Sequence, residues 1–307
     1  MRQFLHCDGG YKECERWESG CWVNMECPGE ADINFLVDEL GVPRAFLDDL
    51  TDIDERPRVD QEGMWKLTIL RIPVPQDDDT APYATVPLGI FTSDIALVTV
   101  CFFKTALIKD FIEYSGRKQM SVSRPADFII HILFSSTYWF LNYLKRINEL
   151  VAEAEHALEQ SVQNRDLMSL MRLQKSLGLF NTSLRGNEVL LERLYHSFGD
   201  DFDHELLEDL EIELKQADNT VAVYSDILQS TMDAYSSIIS NNVNQIMKRM
   251  TGITIILMVP TLVASFYGMN VGGLAFADLP LSFYLVIFIA AVFTVLTYLW
   301  LRHIRWF

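Results

Sequence analysis

Charged residues are missing from two long stretches near the end of the chain. Residues 253–267 contain no charged side chain, and neither do residues 281–301. The second stretch alone can cross a hydrocarbon core of ~30 Å as a helix, and the first reaches that length when residues 250–252 and 268–269 are added. The two runs are adjacent and have basic flanks, so they predict transmembrane helices at about 251–269 and 281–301 rather than buried core helices of a soluble protein.

The segment between the two runs lacks lysine and arginine. Basic residues instead precede the first run, at Lys248 and Arg249, and follow the second, at Arg302 and Arg305. The positive-inside rule therefore predicts a short external loop at 270–280 and both termini in the cytoplasm. The N-terminal region also lacks the layout of a signal or transit peptide. We expect a multi-pass protein of a bacterial cytoplasmic (inner) membrane.

Motifs of nucleotide-driven or hydrolytic chemistry are absent as well. The sequence contains no P-loop, no G-x-S-x-G and no H-E-x-x-H, and its six histidines are scattered. It therefore predicts a protein that is not an enzyme and has no cofactor. Any transport would be passive and driven by the membrane potential.

Cysteine is scarce, and basic residues are outnumbered. There are five cysteines and no CxxC pair. Reduced, unpaired thiols suit a cytoplasmic domain. The alternative is a thiol zinc site of unusual spacing, formed by Cys7, Cys14, Cys21 and Cys27.

The net charge of −17 lies in the soluble part. This charge argues against nucleic acid or anionic lipid as a partner and suits the attraction of cations.

The soluble part divides into two regions by pattern. Residues 1–122 predict an α/β domain, with strands at 64–74 and 84–103 and a helical segment at 32–50 that is interrupted at 41–43. Residues 123–250 predict a helical bundle and a stalk, starting at Ser123-Arg124-Pro125. Residues 251–307 form the two-helix membrane domain. The fold class is thus an α+β cytoplasmic domain with a long helical stalk and two C-terminal transmembrane helices.

Helix-breaking residues are rare in the stalk region. Gly178 and Gly186 are the strong breakers before Gly199, and a turn is also expected near residues 164–166. Between residues 205 and 259 there is no proline and one glycine, Gly252. A continuous helix over 205–269 would be about 97 Å long and would become the first membrane span without a break.

Polar side chains recur along one face of this long helix. Ten positions follow one another at alternating steps of four and three residues, as in a heptad seam. They are Asp233, Ser237, Ser240, Asn244, Met247, Thr251, Thr254, Met258, Thr261 and Ser265. Polar side chains facing lipid are costly, so this seam is expected to face protein or water. Several copies around a rotation axis would line a pore, whereas hydroxyls bonding within a packed helix pair are the alternative.

The chemistry of the seam indicates which ion it would conduct. Its hydroxyl, amide and thioether groups include no carboxylate within the membrane, so they suit a divalent ion that keeps its water shell, such as Mg²⁺. The seam also carries no lysine or arginine, which an anion pathway would require. Asp233 at the cytoplasmic end would form a carboxylate ring that attracts cations.

An acidic tract lies just before and within the start of the long helix. Residues 200–213 contain eight acids and no lysine or arginine. Acids commonly occupy a solvated helix start because they favour the positive end of the helix dipole. The alternative is a site for regulatory divalent ions between neighbouring subunits, with Asp203, Glu205, Asp209 and Glu213 as candidate ligands.

The end of the first run carries a family resemblance. The segment PTLVASFYGMN, residues 260–270, resembles the signature of CorA-type divalent-metal channels, and the two C-terminal spans and acidic cytoplasmic part extend the likeness over the whole chain. The resemblance implies a homopentamer with a funnel of stalk helices and a pore lined by the first spans. It also implies a selectivity filter formed by Gly268, Met269 and Asn270, in which Asn270 holds a hydrated cation.

Further roles follow from the resemblance by position. Asn244, Met258 and Asp233 coincide with the family's pore asparagine, hydrophobic-gate methionine and acidic ring. Met250 falls where the family has a gating leucine, and Asp209 where it has a stalk acid that helps to bind intracellular regulatory Mg²⁺.

The ion itself has two candidates. The GMN triplet favours Mg²⁺, with Co²⁺ or Ni²⁺ as further cargo. However, GMN is followed here by Val271-Gly272-Gly273 with only Asp278 beyond, a continuation that resembles the zinc-transporting ZntB branch. Zinc transport coupled to protons is therefore the alternative, and a non-conducting, membrane-tethered structural or metal-sensing protein is the alternative of another class.

Overall fold

A computed structural model describes residues 2–76, 80–122, 124–160, 164–199, 202–269, 281–304 and 306. The chain forms two compact units, 1–232 and 233–307, and the boundary falls within one long helix. The predicted division into three domains at residues 122 and 250 is a different partition and stays a prediction.

A seven-stranded sheet forms the centre of the first unit. Its strands are β1 (Arg2–Cys7), β2 (Tyr11–Cys14), β3 (Trp22–Glu26), β4 (Arg58–Glu62), β5 (Trp65–Pro75), β6 (Tyr83–Thr92) and β7 (Leu97–Cys101). The strand order is β2-β1-β3-β7-β6-β5-β4. All neighbours are antiparallel except β3 and β7, whose register pairs Trp22 with Leu97 and Glu26 with Cys101.

The strands expected at 64–74 and 84–103 are confirmed, although the second is two strands. Ser93 breaks it, because its hydroxyl oxygen accepts from the backbone nitrogen of Ala96 at 3.2 Å and closes the turn between β6 and β7. The strands β1 to β4 were not predicted. They are only four to six residues long, so their local patterns are weak, and β3 also pairs with β7, which lies far away in the chain.

Seven α-helices are described, and the longest of them is the continuous helix that the sequence predicts. They are α1 (Glu30–Asn34), which continues as a π-helical turn (Phe35–Glu39), α2 (Arg44–Asp49), α3 (Leu107–Lys118), α4 (Pro125–Gln160), α5 (Asn164–Phe198), α6 (His204–Tyr267) and α7 (Ser282–His303). The predicted interruption at 41–43, the helix start at Pro125 and the long helix over 205–269 are confirmed, the last as α6. Gly41 lies at φ +69°, which favours glycine at that break.

Gly178 and Gly186 were wrongly predicted to break the helix, since α5 runs through both. Packing explains Gly186: a Cβ there would lie 2.9 Å from Cγ of Pro57, so glycine lets the loop after α2 approach α5 closely. Tertiary contacts of this kind override the weak helix propensity of glycine. Nothing lies near Gly178 that would explain that glycine.

An aromatic cluster holds helices α3 and α4 against one face of the sheet. The ring of Trp22 lies 4.8 Å from that of Tyr11, 4.9 Å from Phe128 and 5.9 Å from Phe111, all in edge-to-face geometry. The indole nitrogen of Trp22 donates to Oγ1 of Thr99 at 2.8 Å, so this large ring is buried without an unsatisfied donor. The opposite face packs against α1, the π-helical turn and α2.

Helix α5 closes an exposed edge of the sheet. Strand β4 pairs with β5 only as far as Ile69, so the backbone of Arg71 has no neighbouring strand on that side. The amide of Asn187 takes the place of a strand: its Oδ1 accepts from the backbone nitrogen of Arg71 at 2.9 Å, and its Nδ2 donates to the Arg71 carbonyl at 2.8 Å. This buried side chain therefore satisfies both backbone groups of Arg71.

We expect Asn187→Ala to lower the free energy of unfolding by about 1–3 kcal/mol, the cost of one buried donor without an acceptor. Ser136 still donates to the Arg71 carbonyl at 3.2 Å, so the backbone nitrogen is the group left without a partner. Denaturant unfolding measures the loss. Asn181→Ala in the same helix is the matched control, because the buried Oδ1 of Asn181 has no hydrogen-bond partner among the described residues. Equal losses in the two variants would contradict the assigned role.

Candidate ion pathway along helix α6

The polar seam predicted from the sequence lies on α6, and all ten of its side chains are exposed within one chain. Met250, the eleventh predicted pore position, is 60% exposed as well. The lower part of α6 differs, because Leu210, Leu214, Ala217 and Val221 are buried in the first unit. From residue 240 to 250 every residue is exposed on all sides of the helix. The described residues of the same chain therefore do not cover this part of α6.

Four seam hydroxyls donate to the carbonyl oxygen one turn earlier. The bonds run from Ser237 to Asp233 (3.0 Å), from Thr251 to Met247 (2.8 Å), from Thr254 to Met250 (2.9 Å) and from Thr261 to Leu257 (2.9 Å). Because the hydroxyl proton is already used, the oxygen lone pairs remain as acceptors on the exposed face. The waters around a cation direct their hydrogens outward, so a row of acceptors suits a hydrated cation.

The upper part of α6 and all of α7 are apolar and long enough to cross a membrane. In both helices only 6% of the most apolar window is buried, as expected for side chains that face lipid or a second chain rather than a soluble core. Large exposed apolar side chains, including Leu257, Leu262 and Phe288, occur on both helices.

The predicted filter lies where α6 ends. The helix ends at Tyr267, and the backbone nitrogen of Gly268 still donates to Ala264 at 2.9 Å, while that of Met269 donates to Phe266 at 3.3 Å. A Cβ at Gly268 would lie 3.2 Å from the Ala264 carbonyl, so a larger residue would crowd this last turn. Asn270 lies outside the described residues, as does the whole loop at 270–280.

The acidic tract separates into capping and exposed side chains. Oδ1 of Asp203 accepts from the backbone nitrogens of Glu205 at 3.1 Å and Leu206 at 3.3 Å, so Asp203 caps α6. Glu205 and Asp209 are exposed, and Glu213 is half-buried. Within the described ranges, no three His, Cys, Asp or Glu side chains are placed to share one metal ion. In a single chain the four predicted regulatory acids are therefore not brought together as a metal site.

Residues at the start of α4 contact the start of α6, a link that the sequence pattern did not indicate. Asp127 in α4 accepts the backbone nitrogen of Asp203 at 3.0 Å and pairs with Arg124 at 2.6 Å. Burial lowers the pKa of nearby His131, although the carboxylates of Asp127 and Asp203 oppose that shift. These contacts link α4 to α6 across a long stretch of sequence and had no local signal.

All five cysteines are free, and Cys21 and Cys101 are buried. Burial raises the pKa of Cys21, one of the four candidate zinc ligands, and raises that of Cys101, which lies outside this set, to about 12. Among the residues with assigned positions, no group of three metal-binding side chains includes a cysteine.

Comparison with known proteins gives one consistent result. A family model described as CorA-like Mg²⁺ transporter protein matches residues 17–303. The chain is 28% identical over 291 residues to the cobalt/magnesium transport protein CorA of Methanocaldococcus jannaschii, covering 93% of this chain and 90% of that protein.

Solved structures show the same fold. The complete structure of the CorA magnesium transporter from Methanocaldococcus jannaschii matches with a TM-score of 0.85 at 24% identity, covering 100% of this chain and 99% of that chain. The ZntB cytoplasmic domain from Vibrio parahaemolyticus matches with a TM-score of 0.59 at 15% identity, covering 80% and 98%. Because the family model extends over nearly the whole sequence, this chain belongs to the CorA-like Mg²⁺ transporter family.

Proposed function

We propose that this chain is one subunit of a passive divalent cation channel that conducts hydrated Mg²⁺, with Co²⁺ and Ni²⁺ as further cargo. The observation that carries the proposal is the exposed seam on α6. Four of its hydroxyls donate to backbone carbonyls, so their oxygen lone pairs remain as acceptors on the exposed face. Such a face suits the outward hydrogens of a hydrated ion, and Mg²⁺ dehydrates reluctantly.

The proposed pore needs several copies of the chain. Unshielded polar side chains in a membrane are costly, so the seam requires neighbouring copies to enclose it. Membership of the family supports a homopentamer in which Gly268, Met269 and Asn270 form the outer filter. Asp233 would form the inner acidic ring, and Met250 and Met258 would narrow the pore. A mass measurement of the detergent-solubilised particle decides the number of subunits.

The proposed location is a bacterial inner membrane, with both termini in the cytoplasm and the loop 270–280 outside. The basic residues Lys248, Arg249, Arg302 and Arg305 support this orientation. The driving force is then the membrane potential, which supplies ~2.3 kcal/mol per charge for each 100 mV and twice that for a divalent ion. The chain itself needs no resident cofactor in this proposal, because Mg²⁺ is both cargo and regulator.

The first test is flux into liposomes that contain the purified protein. We expect Mg²⁺ to enter when a potassium gradient makes the interior negative, and to stop when the gradient is collapsed. If neither Mg²⁺ nor Zn²⁺ enters the liposomes, the channel proposal is contradicted, and a non-conducting, membrane-tethered sensor is favoured.

Zinc transport coupled to protons is the second candidate. Val271-Gly272-Gly273 after the GMN triplet favours it, because this continuation has few of the acids and aromatics common in the Mg²⁺ branch. The same liposomes distinguish the two: a pH gradient should change zinc entry in a proton-coupled transporter and leave the Mg²⁺ flux of a channel unaltered.

Closure by cytoplasmic Mg²⁺ is proposed to depend on the exposed acid Asp209. We expect Asp209→Asn to shift the Mg²⁺ concentration that half-closes the channel upward by several-fold, because one carboxylate ligand is lost from each subunit. Glu208→Gln is the matched control, since Glu208 is also exposed but points about 100° away around the helix. An unaltered inactivation curve for Asp209→Asn would remove this residue from the regulatory site.

A further inference from the structure

A groove of about 500 Å³ separates α6 and α7 within the second unit. Pro260, Val263 and Ala264 line it on α6, and six residues of the range 286–295 line it on α7. Its one polar lining side chain is Thr294, whose hydroxyl donates to the Ala290 carbonyl at 2.7 Å. The walls of the groove therefore present hydrocarbon and leave no side-chain donor to satisfy.

This groove is a different face of α6 from the polar seam. Its lining residues on α6 lie on average about 140° around the helix from Met258, Thr261 and Ser265. Its walls also have surface to offer an occupant, because Ala291 is exposed and Ile287 is 52% exposed. When the seam faces a pore, the groove is therefore left to contact lipid or another subunit.

Two arginines lie on the two sides of this groove, beyond one of its ends. Arg249 precedes Pro260 by eleven residues, which is three helical turns plus about 20°. Arg302 follows Ala291 by eleven residues, again about 20° away around its helix. Both offsets correspond to about 16 Å along the helix axis, so the two side chains flank the groove at the same depth.

No acidic residue of the second unit can neutralise these arginines at that depth. Asp278 is the only acid after Asp233 in the sequence, and it belongs to the segment at the other end of α6 and α7. Arg249 and Arg302 are both exposed. The net charge of −17, which argues against an anionic lipid for the chain as a whole, is carried by residues before position 234, whereas the charge beside the groove is positive.

The charge beside the groove distinguishes the two possible occupants. A helix from a second copy would bring its own Arg249 or Arg302 to the same depth, where like charges repel. An anionic headgroup complements the two guanidiniums, which bind phosphate oxygens in a fork geometry. Trp300 is exposed two residues before Arg302, and tryptophan at the end of a membrane helix marks the headgroup level.

We propose that this groove binds an anionic phospholipid of the leaflet at the Arg249 end of α6, with the phosphate on Arg249 and Arg302 and an acyl chain along the groove. On α7 the groove begins about 10 Å from Arg302, a distance that lies inside a hydrocarbon core of ~30 Å. The site requires that α6 and α7 lie in a membrane and does not depend on ion conduction. Lipid binding and flux can therefore fail independently of each other.

Phosphatidylglycerol is a suitable probe, and phosphatidylcholine with the same acyl chains is its control. Native mass spectrometry of the delipidated full-length protein in detergent should show saturable phosphatidylglycerol binding, at least ten-fold tighter than phosphatidylcholine. Glycerol phosphate, which has the anionic group without acyl chains, should not compete. Equal binding of the two lipids would overturn the proposal, and so would competition by glycerol phosphate, since a free phosphate site would then explain the binding.

Headgroup variants test the two arginines. Arg249→Gln and Arg302→Gln should each weaken phosphatidylglycerol binding by roughly five-fold, and the double variant by roughly 25-fold, from the usual contribution of one basic residue at an anionic membrane surface. Lys248→Gln is the matched control, because Lys248 is also exposed but lies about 120° around the helix from Pro260. Equal losses in Lys248→Gln and Arg249→Gln would refute the site. If the double variant fails to assemble, the single variants decide.

A groove-filling variant tests the acyl chain. Ala291→Phe should weaken binding of both lipids at least ten-fold, whereas Val292→Phe, which is exposed but does not line the groove, should leave binding unchanged. The mass of the assembled particle should be the same in both variants. A changed particle mass with unchanged lipid binding in Ala291→Phe would assign the groove to a second copy of the chain and overturn the proposal.

Discussion

Replacing Asn270 with alanine is expected to abolish the preference for Mg²⁺ in reconstituted liposomes while leaving the assembled particle intact. In the proposed filter each subunit contributes one amide oxygen that accepts from the water shell of the ion. A hydrogen bond involving a charged group contributes about 1.5–3 kcal/mol, so loss of a whole ring of acceptors should reduce selective uptake by at least ~100-fold.

Two measurements accompany that variant. The mass of the detergent-solubilised particle should match that of the unmodified protein. Asn242→Ala is the control, since Asn242 is an exposed amide of α6 that lies off the seam. Retention of the same ion preference in Asn270→Ala would refute the filter assignment.

Introducing a positive ring into the seam should have a comparable effect. We expect Thr254→Lys to stop divalent cation flux. At roughly 6 Å in water, one lysine repels a divalent ion by about 1.4 kcal/mol, and the five copies of the proposed pentamer would repel it by about 7 kcal/mol. Lysine on a water-filled pore face keeps its hydration, so the particle should still assemble.

A position two residues further along provides the control at nearly the same depth. Ile256→Lys places the identical charge about 160° around the helix from Thr254, on the face opposite the seam. There the cost of burying a charge in lipid or protein, about 2.5–3.5 kcal/mol on insertion scales, should reduce the yield of assembled particle. If both variants assemble and conduct alike, the seam does not line a pore.

A milder pair of variants tests the role of the hydroxyl acceptors alone. Thr254→Val preserves shape and removes one acceptor ring, so flux should fall by a few-fold. Thr297 in α7 also donates to the carbonyl one turn earlier, at 2.8 Å, but it lies on the other apolar helix. Thr297→Val should therefore leave flux unchanged.

Elements with a strong local pattern were predictable from the sequence. Helix α6 is marked by the absence of proline over many turns, and α7 by an uncharged run that matches Ser282–His303 closely. Strands β5 and β6 are long and rich in β-branched residues, so they too have a local signal. Proline 260 lies within α6 without ending it, as membrane helices often tolerate.

Elements that depend on distant partners were not predictable. Strand β3 forms because it pairs with β1 and, in parallel, with β7, about 75 residues further along the chain. Gly186 looks like a helix breaker until Pro57 is seen against it. Asn187 resembles any helical asparagine, and only the missing strand beside Arg71 explains its burial.

By itself, the sequence determined that the chain has two apolar spans, a continuous helix leading into the first, a polar heptad seam along it and the GMN signature. Each of these is a regularity within one segment, and periodicity or composition reports such features directly. The tertiary structure decided what surrounds those segments: that the described part of the chain leaves the seam exposed, that Asp203 is a helix cap, and that Tyr11 and Arg124 border one cavity. These features arise where residues from different parts of the chain meet, and no spacing within a single segment encodes such meetings.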